Sequence, residues 1–123
     1  MTRPEFSVSV RVQYLPEQSQ PEGPHAYAYT VTIRNTGDVA AQLVARRWRV
    51  TDEHGKTEEV RGLAVVGHQP LLQPGESFEY TSWTRIATAQ GEMEGTYLCM
   101  TEDARPFEAP IPVFALVRSE ALH

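Results

Sequence analysis

The sequence predicts an all-β protein built as two antiparallel sheets packed face to face, and three observations carry that expectation. Apolar residues recur at every second position through several separate runs, the period of a strand with one buried face. No stretch longer than about two turns shows the i, i+3, i+4 spacing of a helix. Turn residues return every ~8 to 12 positions, the spacing of a sandwich. Strands with one polar and one apolar face must bury the apolar faces against each other, and two stacked sheets of about seven strands do so at this length. A fibronectin-III-like or immunoglobulin-like sandwich is therefore expected. A closed barrel is the alternative, although Pro110 and Pro112 point to an exposed edge strand.

Taken in order, Phe6, Val8, Val10, Val12 and Tyr14 alternate with Ser7, Ser9, Arg11 and Gln13, which defines the first strand. Leu15 to His25, with Pro16, Pro21 and Pro24, reads as a mobile connector because proline denies the ladder its hydrogen bonds. Tyr27, Tyr29, Val31 and Ile33 form the apolar face of a second strand, closed by the turn residues Asn35 to Asp38. A third strand, Gln42 to Asp52, sets Val44, Arg46, Trp48 and Val50 on one side and Arg47 and Arg49 on the other. Arg46 must then pass the ring toward water or pair with a carboxylate or a backbone carbonyl, because a lone buried guanidinium is expensive. Lys56 to Arg61 reads as a short charged edge strand.

Gln73-Pro74-Gly75-Glu76 has the residues of a type II turn, proline presetting φ and glycine accepting a positive one. Phe78 and Tyr80 alternate with Glu79 and Thr81 along the next strand, and Met93 to Thr101 forms another. In the last strand Phe107, Ala109, Ile111 and Val113 hold one phase before Phe114 and Leu116 take over. That change predicts a bulge or an edge position near Pro112.

Length and composition narrow the function. The 123 residues fit one domain spanning 1–123, and a hydrophobic fraction of 41% is enough for one shared core. A formal charge of −5 argues against general nucleic-acid binding, which draws its affinity from clustered Lys and Arg. Cys99 is the only cysteine, so no intramolecular disulfide or paired-cysteine zinc site can form, and the cytoplasm is the expected compartment. The opening M-T-R-P-E-F-S-V passes directly into alternation, unlike an export signal, and no apolar run approaches the ~18 residues that span a bilayer.

Several ordered stretches together resemble the ApaG family of small bacterial proteins. These are Y-T-V-T-I-R-N (Tyr29 to Asn35), Arg46-x-Trp48, V-V-G-x-Q-P (Val65 to Pro70), P-G-E (Pro74 to Glu76), Y-T-S (Tyr80 to Ser82), G-x-M-x-G-x-Y (Gly91 to Tyr97) and I-P-V-F-x-L (Ile111 to Leu116). The resemblance implies a fibronectin-III-like sandwich, a genetic link to cobalt resistance and magnesium efflux, and no established enzymatic activity. Related domains in eukaryotic F-box proteins and in a DNA-polymerase-interacting protein imply a protein-interaction module.

The family's G-x-G-x-x-G loop is suspected of binding nucleotide or pyrophosphate. Here Gly62 and Gly67 hold the outer positions while Ala64 replaces the middle glycine, where a methyl group crowds an approaching phosphate. Gln69-Pro70 also forbids the following helix that a dinucleotide fingerprint requires. A structural turn is the simpler reading. An anion nest assisted by Arg61 and His68 is the alternative.

The remaining candidates are weaker. His25, His54, His68 and His123 fall in loops or at a terminus with no metal-binding spacing, so no metal site is expected. Glu92 and Glu94 read as a solvated edge rather than an acid/base pair, and Ser82 and Thr84 have no neighbouring histidine to make a nucleophile. Cys99 and Trp48 read as core, whereas Trp83 fits either core or an exposed anchor. Arg47 and Arg49, with Arg61, form the one basic surface, set against Glu53, Glu58 and Glu59. No catalytic residue and no cofactor is expected. Two functions follow: a protein-binding module, or a pyrophosphate or nucleotide sensor on the Gly62–Gly67 loop. Hydrolysis of dinucleoside polyphosphates lacks the carboxylate cluster that would hold its metal. Homodimerisation stays open because a sandwich exposes its edge strands.

Overall fold

The computed structural model describes residues 2–118; His123 lies outside them. The strands are β1 (Phe6–Tyr14), β2 (His25–Asn35), β3 (Ala41–Asp52), β4 (Thr57–Leu63), β5 (Leu71–Leu72), β6 (Ser77–Ile86), β7 (Gly91–Thr101) and β8 (Pro106–Leu116). One sheet has the order β1-β2-β6. The other has the order β4-β3-β7-β8, with the two-residue β5 also paired to β3. All named pairings are antiparallel. This three-on-four arrangement is a fibronectin-III-like sandwich and excludes the closed barrel. No helix among the described residues is long and apolar enough to cross a membrane.

The period-two residues fill the space between the sheets. Tyr27, Val31 and Ile33 from β2 meet Leu43, Met93, Tyr97 and Leu116 from the opposite sheet, all fully buried. Trp48 is buried among rings, its centroid 5.4 Å from Tyr29, 6.0 Å from Phe114 and 6.2 Å from Tyr97. Tyr80 and Tyr97 satisfy each other across the interior through a 2.5 Å hydroxyl–hydroxyl bond. Cys99 is buried as expected, and burial pushes its thiol up to about 12, which keeps it protonated and unreactive.

Several expectations need correction. In β3 the ladder to β7 shifts register between Leu43 and Ala45, so Leu43 rather than Val44 faces the core. The bulge inserts one residue and reverses the phase that period two assigns before it. The connector after β1 is a tied structure instead of a mobile one. Pro16–Gln18 forms a 3-10 turn, Ser19 Oγ donates to Leu15 O at 2.8 Å, and Ala26 N donates to Ser19 Oγ at 2.8 Å. His25 opens β2, where its buried ring bonds the Tyr14 hydroxyl at 3.2 Å. Proline suppresses sheet pairing but does not prevent side chains from pinning a loop.

Other details agree with the residues. Gly75 has φ +89° and Glu76 N donates to Gln73 O at 2.9 Å, closing the turn at Pro74. The β7–β8 register shifts between Met93 and Gly95, which puts an extra residue in β8 at Pro112 and Val113. Asn35 has the expected turn role, with its Oδ1 accepting from Gly37 N at 2.9 Å, and a second one. It is buried, with Nδ2 donating to Val39 O and Leu72 O at 2.9 Å each, and it pins two loops at one end of the sandwich.

Candidate functional site

The outer face of the four-stranded sheet gathers the charged side chains that the sequence leaves scattered. Antiparallel register sets Arg47 opposite Arg61 on one side and Thr96 on the other; in the next outward-facing row Arg49 lies between Glu59 and Glu94. Between these rows runs a groove of about 330 Å³ lined by the three arginines, both glutamates, Gly95 and Thr96. Gly95 lies opposite Trp48, and a Cβ there would come within 2.3 Å of Arg47 O. Only glycine permits that approach.

The charges in the groove are unevenly matched. Arg61 pairs with Glu59 at 3.1 Å and Arg49 with Glu94 at 3.7 Å, all on exposed or half-exposed side chains. Pairs of this kind contribute at most about 1 kcal/mol and exchange readily with a ligand. The Arg47 side chain makes no hydrogen bond or ion pair among the described residues. Toward one end of the same face the rows become apolar: Leu63, Leu98, Met100 and Leu71 are 73%, 42%, 39% and 55% exposed. Large exposed apolar groups thus lie beside a guanidinium that has no side-chain partner among the described residues.

The glycine-framed loop has a different character. Val65 N donates to His68 O at 2.8 Å, His68 N returns a bond to Val65 O at 2.9 Å, and Ala64 N donates to Val44 O at 2.8 Å. Val66 and Gly67 have φ of +41° and +84°, the signs a type I′ turn demands, and Ala64 has φ +68°. Three of the amides that a nest would direct at an anion are thus directed at carbonyls. Arg46 closes the loop, with Nη1 donating to Leu63 O at 2.9 Å and Ala64 O at 2.7 Å, one of the pairings its apolar position required. Gly62 faces that guanidinium. Arg61 joins the groove, while the His68 ring packs 5.6 Å from Phe78 of the other sheet, so the two assisting residues part company.

Of the other candidates, Trp83 is 59% exposed and carries the Arg85 guanidinium 5.3 Å from its ring centroid. Glu92 is exposed, Glu94 is half-buried, and His54 is exposed in the β3–β4 turn. Among the described residues no group of three or more His, Cys, Asp or Glu side chains is placed to hold a metal ion. The groove itself depends on long-range register. Its one local signal is Tyr97-Leu98-Cys99-Met100, a strand apolar in both phases and hence apolar on both faces.

Fold and site together define a small fibronectin-III-like domain with a charged groove on the outer face of its four-stranded sheet. A family model described as the ApaG domain matches residues 16–101. Protein ApaG of Ralstonia nicotianae is 59% identical over 124 aligned residues, covering 100% of both chains. Protein ApaG of an Acidovorax strain is 56% identical over 94% of this chain and 87% of its own. A crystal structure described as the ApaA protein of Bordetella pertussis superposes with a TM-score of 0.92 at 50% identity, covering 94% of this chain and 95% of that one. The chain belongs to the ApaG family.

Proposed function

We propose that this chain is a non-enzymatic protein-binding module, working in the cytoplasm, whose four-stranded sheet docks an acidic segment of a partner protein. The observation that carries the reading is the gathering of Arg47, Arg49 and Arg61 along one groove that is bordered by exposed Leu63 and Leu98. On a protein of net charge −5 this face sets three arginines where a partner's carboxylates can meet them, and the apolar border beside them supplies the area that affinity needs. The interior supports the same reading. Burial raises Tyr80 to about 12 and Tyr97 further, and Cys99 is also raised, so these groups stay protonated near neutral pH rather than poised for proton transfer. The link to cobalt resistance and magnesium efflux would then lie in the identity of the partner.

The test is photo-crosslinking in bacterial cells from two positions, Leu98 on the groove side and Thr81 on the outer face of the three-stranded sheet. Expected is a partner captured from Leu98, lost when Arg47→Glu is added, and absent from Thr81. Equal capture from both faces, or capture indifferent to Arg47→Glu, rejects the proposal.

A further inference from the structure

The open edge of the four-stranded sheet has a symmetry of its own. β4 is exposed along nearly its whole length, and β3 is the strand it pairs with. Ala64 N donates to Val44 O, and these residues continue the register Ala45↔Leu63. Antiparallel bonding alternates. The main-chain groups of Gly62, Val60 and Glu58 therefore turn toward β3, and those of Leu63, Arg61, Glu59 and Thr57 turn outward. The opposite edge of this sheet, β8, carries Pro106, Pro110 and Pro112, which lack the amide such pairing requires.

We infer that β4 is a self-complementary edge through which two copies of this chain pair antiparallel about a twofold axis at Val60. Val60 is the midpoint of Thr57–Leu63, so this register pairs all seven residues of the strand. Glu59 of each copy then stands opposite Arg61 of the other, and the existing 3.1 Å Arg61–Glu59 pair becomes one half of a network of four charges. Val60, 43% exposed, meets its own counterpart.

Because opposite residues share a face of the sheet, the axis must pass through a residue, and the neighbouring choices fail. An axis at Glu59 sets that carboxylate against itself, and one at Arg61 does the same with guanidinium. Charges that repel an arbitrary strand thus select a single register. The product is a continuous sheet of eight long strands in the order β8-β7-β3-β4-β4-β3-β7-β8, with the two arginine grooves side by side across the axis. This inference concerns the edge and does not depend on what the grooves bind.

A seven-residue edge buries less than the ~1,200 Å² of a stable interface, so the dimer is expected to be weak and concentration-dependent. Sedimentation velocity of the full chain at low salt, up to ~1 mM, reads it directly. Glu59→Arg and Arg61→Glu should each weaken dimerisation at least tenfold with circular dichroism unchanged. An equimolar mixture of the two variants should dimerise again, because each supplies what the other lost. Independently, Val60→Cys should form an intermolecular disulfide on mild oxidation, since opposed residues at such a non-hydrogen-bonded site lie ~4.5 Å apart. Glu58→Cys, which faces Gly62 of the second copy, should cross-link far more slowly. A wild type monomeric throughout, a mixture that stays monomeric, or equal cross-linking from both cysteines overturns the inference.

Discussion

The two outer faces of the sandwich rest on the same interior and differ in the side chains they bring together. On the three-stranded sheet, Thr30 Oγ1 lies 2.9 Å from Thr81 Oγ1, and Thr32 Oγ1 donates to Glu79 Oε2 at 3.1 Å. Short hydroxyl side chains there bond across strands. On the four-stranded sheet Arg47 has no such partner among the described residues, and Leu63 and Leu98 stand in solvent beside it. The first face bonds short hydroxyls across its strands, although its Arg11 and Arg34 side chains also have no partner among the described residues, whereas the second gathers three arginines beside exposed Leu63 and Leu98. An aromatic such as Trp83 does not undo the contrast, since Arg85 already lies against its ring.

Because both faces depend on one interior, the change that erases both is expected to be the largest. Trp48→Ala removes the ring that Tyr29, Phe114 and Tyr97 surround and should cost about 3–5 kcal/mol in urea unfolding, with both faces lost in one transition.

High pH should act on the same interior through the tyrosine pair. Burial raises the Tyr80 hydroxyl from 10.0 to about 12, so ionisation is easier in the unfolded chain. The associated stability is complete below pH 10 and is lost as pH rises through about 12. Alkaline unfolding followed by circular dichroism should coincide with the late phenolate absorbance step, and Tyr80→Phe should reduce the slope of stability against pH in that window.

Smaller effects separate the groove from the loop beside it. Arg46→Met keeps the stem but leaves the carbonyls of Leu63 and Ala64 without their donor, for an expected loss of about 1–2 kcal/mol. Val66→Asn should do the reverse and raise stability by about 1 kcal/mol, because Val66 holds φ +41° and asparagine tolerates that region better than a β-branched residue.

The sharpest test of the comparison has the smallest effect on folding. Arg47→Glu on one face and Arg11→Glu on the other should each change stability by no more than about 0.5 kcal/mol. If the groove binds the acidic segment proposed for it, only Arg47→Glu should weaken that binding, by tenfold or more in a titration.

Much of this architecture is legible along the chain because strand periodicity is local. Tyr27 to Ile33 declare a buried face by spacing alone, Pro74-Gly75 declare a turn by their dihedral preferences, and the phase change at Pro112 declares a bulge. The bulge at Val44 carries no comparable mark: Leu43 and Val44 are both apolar, and only the ladder to Leu98 and Cys99 decides which one faces inward. The mobile reading of Leu15 to His25 failed for a similar reason, since a side-chain tie such as Ser19 to Ala26 leaves no trace in composition.

The sequence by itself determined that these residues form strands, which face is buried wherever no bulge interrupts the alternation, and that the chain belongs with others of its family, because these follow from spacing and residue type over short distances. Tertiary structure alone decided that Arg61 stands beside Arg47, that Asn35 joins two loops and that Trp83 stays in solvent. Each of those outcomes depends on the register between strands far apart in the chain, and register is set by how the whole interior closes rather than by any one segment.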